Sequence, residues 1–199
     1  IPRLIQTDQG QLLIDDIPVG QWPLDQLRHA IGYVSQTPFL FSDTIRANVA
    51  YGVEQAREEQ ILVAAEQAQL KRDVEDFERG FDTLIGERGV TLSGGQKQRS
   101  TLGRALIRLP RILILDDSLS AVDTQTEEAI LGHLRQLMQD RTTILIAHRI
   151  STLRDADHII VLDEGRIAEQ GRHQDLIALD GLYAELFRRQ QLAAELESL

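Results

Sequence analysis

The 199 residues include no cysteine, a single methionine (Met138) and only two lysines, Lys71 and Lys97. The lack of cysteine excludes disulfides and thiol chemistry and fits a reducing compartment. Long hydrophobic runs are missing too. Apolar stretches such as Ile112–Leu115 and Ile144–Ala147 are far too short to span a bilayer, and no signal-peptide pattern is visible. Positive charge is scarce, with 21 Lys+Arg against 31 Asp+Glu, a net charge of -10 and a pI near 4.9. That balance argues against a broad nucleic-acid surface. Long linkers, repeats and low-complexity tracts do not occur.

What remains is ordinary globular composition, 42% hydrophobic and 26% charged, in a chain long enough for one sizeable core. Strands are expected at Gly10–Asp15, Ile31–Gln36, Arg111–Asp116 and Thr142–Ala147. A hairpin is expected to join His158–Leu162 to Arg166–Glu169 across Asp163-Glu164-Gly165. Arg111–Asp116 lacks polar alternation, the mark of a strand buried on both faces. Helical period appears after Pro23, after Ser42-Asp43-Thr44, over Glu58–Leu70 and Thr124–Gln139, and again over Ser151–Ala156, His173–Leu179 and Gly181–Leu196, with a short turn at Asp73–Phe77 and a break at Gly80. The pattern predicts an α/β core with a parallel sheet, divided as 1–36 and 110–199 around a helical subdomain at 37–109.

The most informative stretch is Leu92-Ser93-Gly94-Gly95-Gln96, followed by an apolar helical pattern through Leu102, Ala105, Leu106 and Leu109. Ser93 is a good N-cap, and Gln96 three residues later completes a capping box. Two glycines in the first turn cost helix stability but leave backbone N–H groups uncovered. Such a helix N-terminus suits an anion, phosphate above all.

The pentapeptide, with the further motifs in their order, resembles the signature motif of ATP-binding-cassette (ABC) ATPases. The resemblance covers essentially the whole chain and implies a P-loop NTPase core with a helical signature subdomain. On that resemblance Gln36, in Val-Ser-Gln-Thr-Pro-Phe-Leu-Phe, matches the Q-loop glutamine that contacts Mg2+ and the attacking water. Ile112–Asp116 matches a Walker B strand whose Asp116 holds the metal. Ser120–Asp123 matches the D-loop that crosses to a partner subunit. His148, in Ile-Ala-His-Arg-Ile-Ser-Thr, matches the switch histidine of the γ-phosphate. Gly86-Glu87-Arg88-Gly89 matches the X-loop of exporters, which touches a transmembrane domain.

The implied roles are catalytic for Asp117, His148 and Gln36, ATP-binding for Leu92, Ser93, Gly94, Gly95, Gln96 and Asp123, and metal-binding for Asp116 and Gln36. The implied partners are ATP, Mg2+, a second nucleotide-binding domain of a different subunit and a transmembrane domain, with no nucleic acid. The implied location is the cytoplasmic face of the plasma (inner) membrane, reached through a transmembrane domain outside this chain. Two features depart from the family pattern. Asp117 stands where a glutamate is usual, one methylene shorter. In heterodimeric exporters an aspartate here often marks a slow, degenerate site. Gly-x-x-x-x-Gly-Lys-[Ser/Thr] is not found, and neither lysine lies in such a loop. Since Ile1-Pro2-Arg3-Leu4 resembles the end of the helix after that loop, the chain reads as a fragment beginning just beyond it.

The family reading is therefore an ATPase subunit fragment of a multidrug-type exporter of drugs or lipids, inactive alone. The rivals are a soluble ABC ATPase of DNA repair or chromosome organisation, which calls for coiled coils and basic surfaces, and a non-catalytic module that lends its signature helix to a partner.

Overall fold

The computed structural model describes residues 1–5, 9–86 and 90–197. Two dipeptide strands, β1 (Leu13–Ile14) and β2 (Ile17–Pro18), form a small antiparallel hairpin instead of one longer strand at Gly10–Asp15. The reason is the turn. Asp15 and Asp16 both take positive φ, 49° and 62°, and short acidic side chains tolerate that region. Helix α1 (Leu24–Ala30) leads directly into β3 (Ile31–Val34). Helix α2 (Ile45–Ala50) is capped by Thr44, whose Oγ1 accepts from the Ala47 amide at 3.0 Å. Helices α3 (Glu58–Gln67), α4 (Lys71–Glu75) and α5 (Gly94–Leu106) follow. The α4 turn begins two residues earlier than its sequence pattern suggests, and Gly80 ends the segment at φ 52°.

Beyond α5 come β4 (Ile112–Asp116), α6 (Thr124–Met138) and β5 (Thr142–Ile146). The sheet is parallel in the order β3-β4-β5, with Ile31 opposite Ile112 and Ile112 opposite Thr142. Parallel pairing in this order follows from the helical crossovers between the strands. The central strand β4 serves two cores. Leu113 and Leu115 join the main cluster, with Val34, Ile45, Val49, Leu102, Leu106, Ile130 and Leu134. Ile114 joins a smaller cluster with Leu27 and Ile31, against which Trp22, Ile112 and Ile144 pack. The helices of the 37–109 segment therefore share one core with the sheet through α5.

Residues Ile1–Ile146 form one compact unit and Ala147–Leu199 a second. The second contains α7 (Ile150–Leu153), β6 (Ile159–Asp163), β7 (Arg166–Gly171), α8 (His173–Leu179) and α9 (Leu182–Glu197). Strands β6 and β7 pair antiparallel across Glu164 and Gly165, both at positive φ (45° and 75°), as a two-residue turn requires. Glu169 of β7 caps α9, accepting from the amides of Leu182 and Tyr183 at 2.5 and 3.1 Å. Ile150, Ile159, Leu176 and Tyr183 form this unit's core.

Candidate functional site

The C-terminal ends of β3 and β4 lie side by side because the strands are neighbours in register, Val34 opposite Leu115. Ligands bind at such ends in open α/β sheets. Gln36, two residues past β3, donates from Nε2 to Asp117 Oδ2 at 3.3 Å. Tyr33 donates its hydroxyl to Asp116 Oδ2 at 3.2 Å. Three of the residues singled out from sequence, Gln36, Asp116 and Asp117, thus meet at one strand end. Tyr33 was not among them. Its signal is faint: it points away from the apolar side of an otherwise buried strand and is 43% exposed. Burial first, then the charge and hydrogen bond of Asp116, raise its phenol above the usual range.

Asp117 itself sits at φ 45°, and its amide donates to the Ile146 carbonyl at 2.8 Å. The left-handed turn ends β4 abruptly and starts the loop to α6. The segment after Gln36 is held by Arg104 of α5. That arginine donates to the carbonyl oxygens of Phe39 and Asn48 at 2.8 Å each and to Asn48 Oδ1 at 2.7 Å, and it lies over the Phe41 and Tyr51 rings. The loop carrying the glutamine is therefore tied to the helix that starts at Gly94.

At the start of α5 the capping box is fully formed. Ser93 Oγ accepts from the Gln96 amide at 3.3 Å, and Gln96 Oε1 accepts from the Ser93 amide at 3.0 Å. This leaves the amides of Gly94 and Gly95, the first two helical positions, to be satisfied from outside the helix. Ser93 and Gly94 are exposed, Gly95 is buried, and Leu92 is buried in the main core as the anchor of the segment. Asp73 of α4 buttresses this end. It takes a bidentate pair from Arg99 at 2.7 and 2.8 Å and a further bond from Gln96 Nε2 at 3.4 Å. No local pattern in the sequence announces that pairing.

Asp123 caps α6, its Oδ1 accepting from the Thr126 amide at 2.9 Å. Hydrogen bonds from Thr126, side chain first and backbone next, hold its carboxyl below the usual range. His148 belongs to the second unit, where its carbonyl oxygen accepts from Gln190 Nε2 at 2.6 Å. Gly86 adopts φ 106°, and a Cβ there would stand 2.5 Å from Ser42 Oγ, so only glycine fits. Glu87, Arg88 and Gly89 lie outside the described residues.

Comparison with known proteins decides the family. The ABC transporter family model matches residues 1–120, and that span contains the strand ends and the α5 N-terminus just described. The chain belongs to the ABC transporter family. Among relatives of this ABC chain is the ABC transporter ATP-binding protein YwjA of Bacillus subtilis (strain 168), 50% identical, with 96% of this chain matched to 33% of that protein. An ATP-dependent lipid A-core flippase of Chromobacterium violaceum is 49% identical over 94% of this chain and 32% of its own length. A probable multidrug resistance ABC transporter ATP-binding/permease protein, YheI of Bacillus subtilis (strain 168), is 46% identical over 92% and 32% respectively. A solved bacterial Atm1-family ABC exporter with ATP bound superposes with a TM-score of 0.91 at 45% identity, covering 96% of this chain and 34% of that one. The chain spans about a third of the length of the curated relatives it matches.

Proposed function

We propose that this chain is part of the nucleotide-binding domain of an ABC exporter, whose full-length form couples ATP binding and hydrolysis to transmembrane export of lipids or drugs. The observation that carries this reading is the N-terminus of α5: a closed Ser93–Gln96 capping box followed by an exposed Gly94. In the proposed assembly two nucleotide-binding domains meet head to tail. Leu92–Gln96 close on ATP held by the partner, and Asp123 lies in the loop that crosses to it. Gln36, Asp116, Asp117 and His148 serve this subunit's own nucleotide. The proposed boundaries are 1–36 and 110–199 for the P-loop core and 37–109 for the signature subdomain.

The donor set at the ends of β3 and β4 fits Mg2+. That ion takes one or two carboxylates and leaves its other positions to phosphate and water, and the described residues hold no cluster of three or more His, Cys, Asp or Glu that would enclose a metal. Asp116 and Gln36 would hold it. Bound there, the ion supplies neutralisation of phosphate charge. Asp117, one methylene short of glutamate, orients water poorly, so the partner's carboxylate does most of the hydrolysis. Without a P-loop motif in its 199 residues, the chain by itself is expected not to turn over ATP. The region of Gly86, Glu87, Arg88 and Gly89 meets the transmembrane domain, which places the assembly at the cytoplasmic face of the plasma (inner) membrane.

The deciding experiment is Ser93→Arg in the full-length, assembled transporter. Arginine fills the space before the helix N-terminus and removes the capping hydroxyl. Steady-state ATPase activity is expected to fall to background while the assembly stays intact by size-exclusion chromatography. Wild-type turnover in the variant would sink the reading.

A further inference from the structure

The side chain of Gln98, in the second turn of α5, is 2% exposed although it is an uncharged polar group one turn from an exposed helix end. Its amide is spent on the loop after β4. Oε1 accepts from the Ala121 amide at 3.0 Å, and Nε2 donates to Ser120 Oγ at 3.3 Å. The backbone donor at Ala121 fixes which way the amide faces, because the flipped amide would set two donors against each other. The Ser120 hydroxyl accepts from Gln98 and donates onward to the Asp117 carbonyl at 2.9 Å. The bonds run one way: Gln98 N–H to Ser120 O–H to Asp117 C=O. The Gln98 end of this run is part-buried and the Ser120 end is exposed, and hydrogen bonds in series polarise one another.

The glycines ahead of Gln98 bring the loop against the helix. A Cβ at Gly94 would stand 3.3 Å from Ala121 Cβ, and one at Gly95 would stand 3.0 Å from Ala121 O. A side chain at Gly94 or Gly95 would therefore press on this loop, which would have to give by a few tenths of an ångström. The helix start and the Asp117–Ala121 segment form one packed surface, latched by a buried amide.

We infer that Gln98 is a positioning residue: it locks the Ser118–Asp123 loop to the N-terminal turn of α5, so that both present a single rigid surface to the nucleotide held by the partner domain. The inference rests on the proposed assembly. Gln98 touches no nucleotide in it and acts through Ser120 and Ala121.

The test uses the full-length, assembled transporter and four proteins: wild type, Gln98→Ala, Ser120→Ala and the double variant. Ser120 is exposed, so its alanine variant removes one hydroxyl without opening the core. Expected are a fall in kcat of roughly tenfold for Gln98→Ala, about 1.4 kcal/mol in barrier, and a smaller fall for Ser120→Ala. KM for ATP stays within about twofold, and the double variant is no slower than Gln98→Ala, because one relay cannot be broken twice. A packing role alone would lower the melting temperature and leave kcat per folded molecule untouched in Ser120→Ala. That result, or fully multiplying losses, overturns the inference. Ser93→Arg in the same preparation separates the two readings. If it abolishes ATPase activity while the Gln98 and Ser120 variants are silent, only the latch is wrong. If Ser93→Arg is itself silent, the assembly is wrong and the latch falls with it.

Discussion

The start of α5 and the ends of β3 and β4 both carry residues that the family pattern singles out, yet they are held differently. At α5 every side chain but Lys97 from Ser93 to Arg99 is engaged, through the Ser93–Gln96 box, the Gln98 bonds to Ser120 and Ala121 and the Arg99–Asp73 pair. At the strand ends the contacts between side chains, 3.2 Å for Tyr33–Asp116 and 3.3 Å for Gln36–Asp117, lie among half-exposed or exposed groups. The first region is preorganised by its own neighbours, and what it offers a ligand is backbone. The second offers carboxylate and amide oxygens at half-exposed or exposed positions, as a metal or water site needs.

The comparison is broken most severely at Asp73. Asp73→Ala leaves Arg99 with its charge mostly buried, the side chain 11% exposed, and no bidentate partner. Removal of one member of such a pair costs about 3 kcal/mol or more. Chemical denaturation of the full-length protein should show that loss as a lower midpoint for this domain, with an unchanged slope. A loss below about 1 kcal/mol would mean that the α5 end does not depend on its buttress.

Gly95→Ala should cost less. Overpacking against Ala121 O and Arg99 Nη1, at 3.0 and 3.2 Å, costs about 1–3 kcal/mol. Alanine recovers up to ~1 kcal/mol of helix propensity. The net loss is about 1 kcal/mol by the same denaturation measurement, and a stabilised variant would show that the loop yields freely.

At the strand ends the expected effect is smaller still and is read in activity. Under the proposed asymmetry Asp117→Ala changes steady-state ATPase activity of the assembled transporter by less than about twofold, or ~0.4 kcal/mol. Replacing the partner's corresponding carboxylate removes most of it. A hundredfold loss from Asp117→Ala alone would make Asp117 a working base and erase the contrast between the two subunits' sites.

The smallest effect is the acid titration of the α6 cap. Because Asp123 is held below its ordinary value of 3.8 in the folded protein, its contribution is fully present above that value and is lost as pH falls through the folded pKa. An NMR titration should show the Thr126 amide shift following a carboxyl midpoint below 3.8. A midpoint at or above it would mean that the Asp123–Thr126 bond does not form in solution.

The sequence by itself determined the elements whose cause is local. The unbroken Ile-Leu-Ile-Leu run becomes the central strand β4, the Asp163-Glu164-Gly165 turn closes β6 onto β7, and Ser93 with Gln96 closes a capping box, because each depends on residues a few positions apart. Thr44 likewise caps the helix that Ser42-Asp43-Thr44 announces, whereas the cap that Asp123 makes on α6 is seen only in the structure. The meeting of Gln36 with Asp117 was legible only through family resemblance, since 81 residues separate them. Tertiary structure alone decided that Tyr33 reaches Asp116, that Asp73 pairs with Arg99, and that Gln98 is buried on the loop after β4. Each of these contacts joins residues from separate segments of the chain. Helical or strand period fixes which face a residue occupies, but only the packing of one element on another fixes which polar group waits opposite, and a buried polar group must find one.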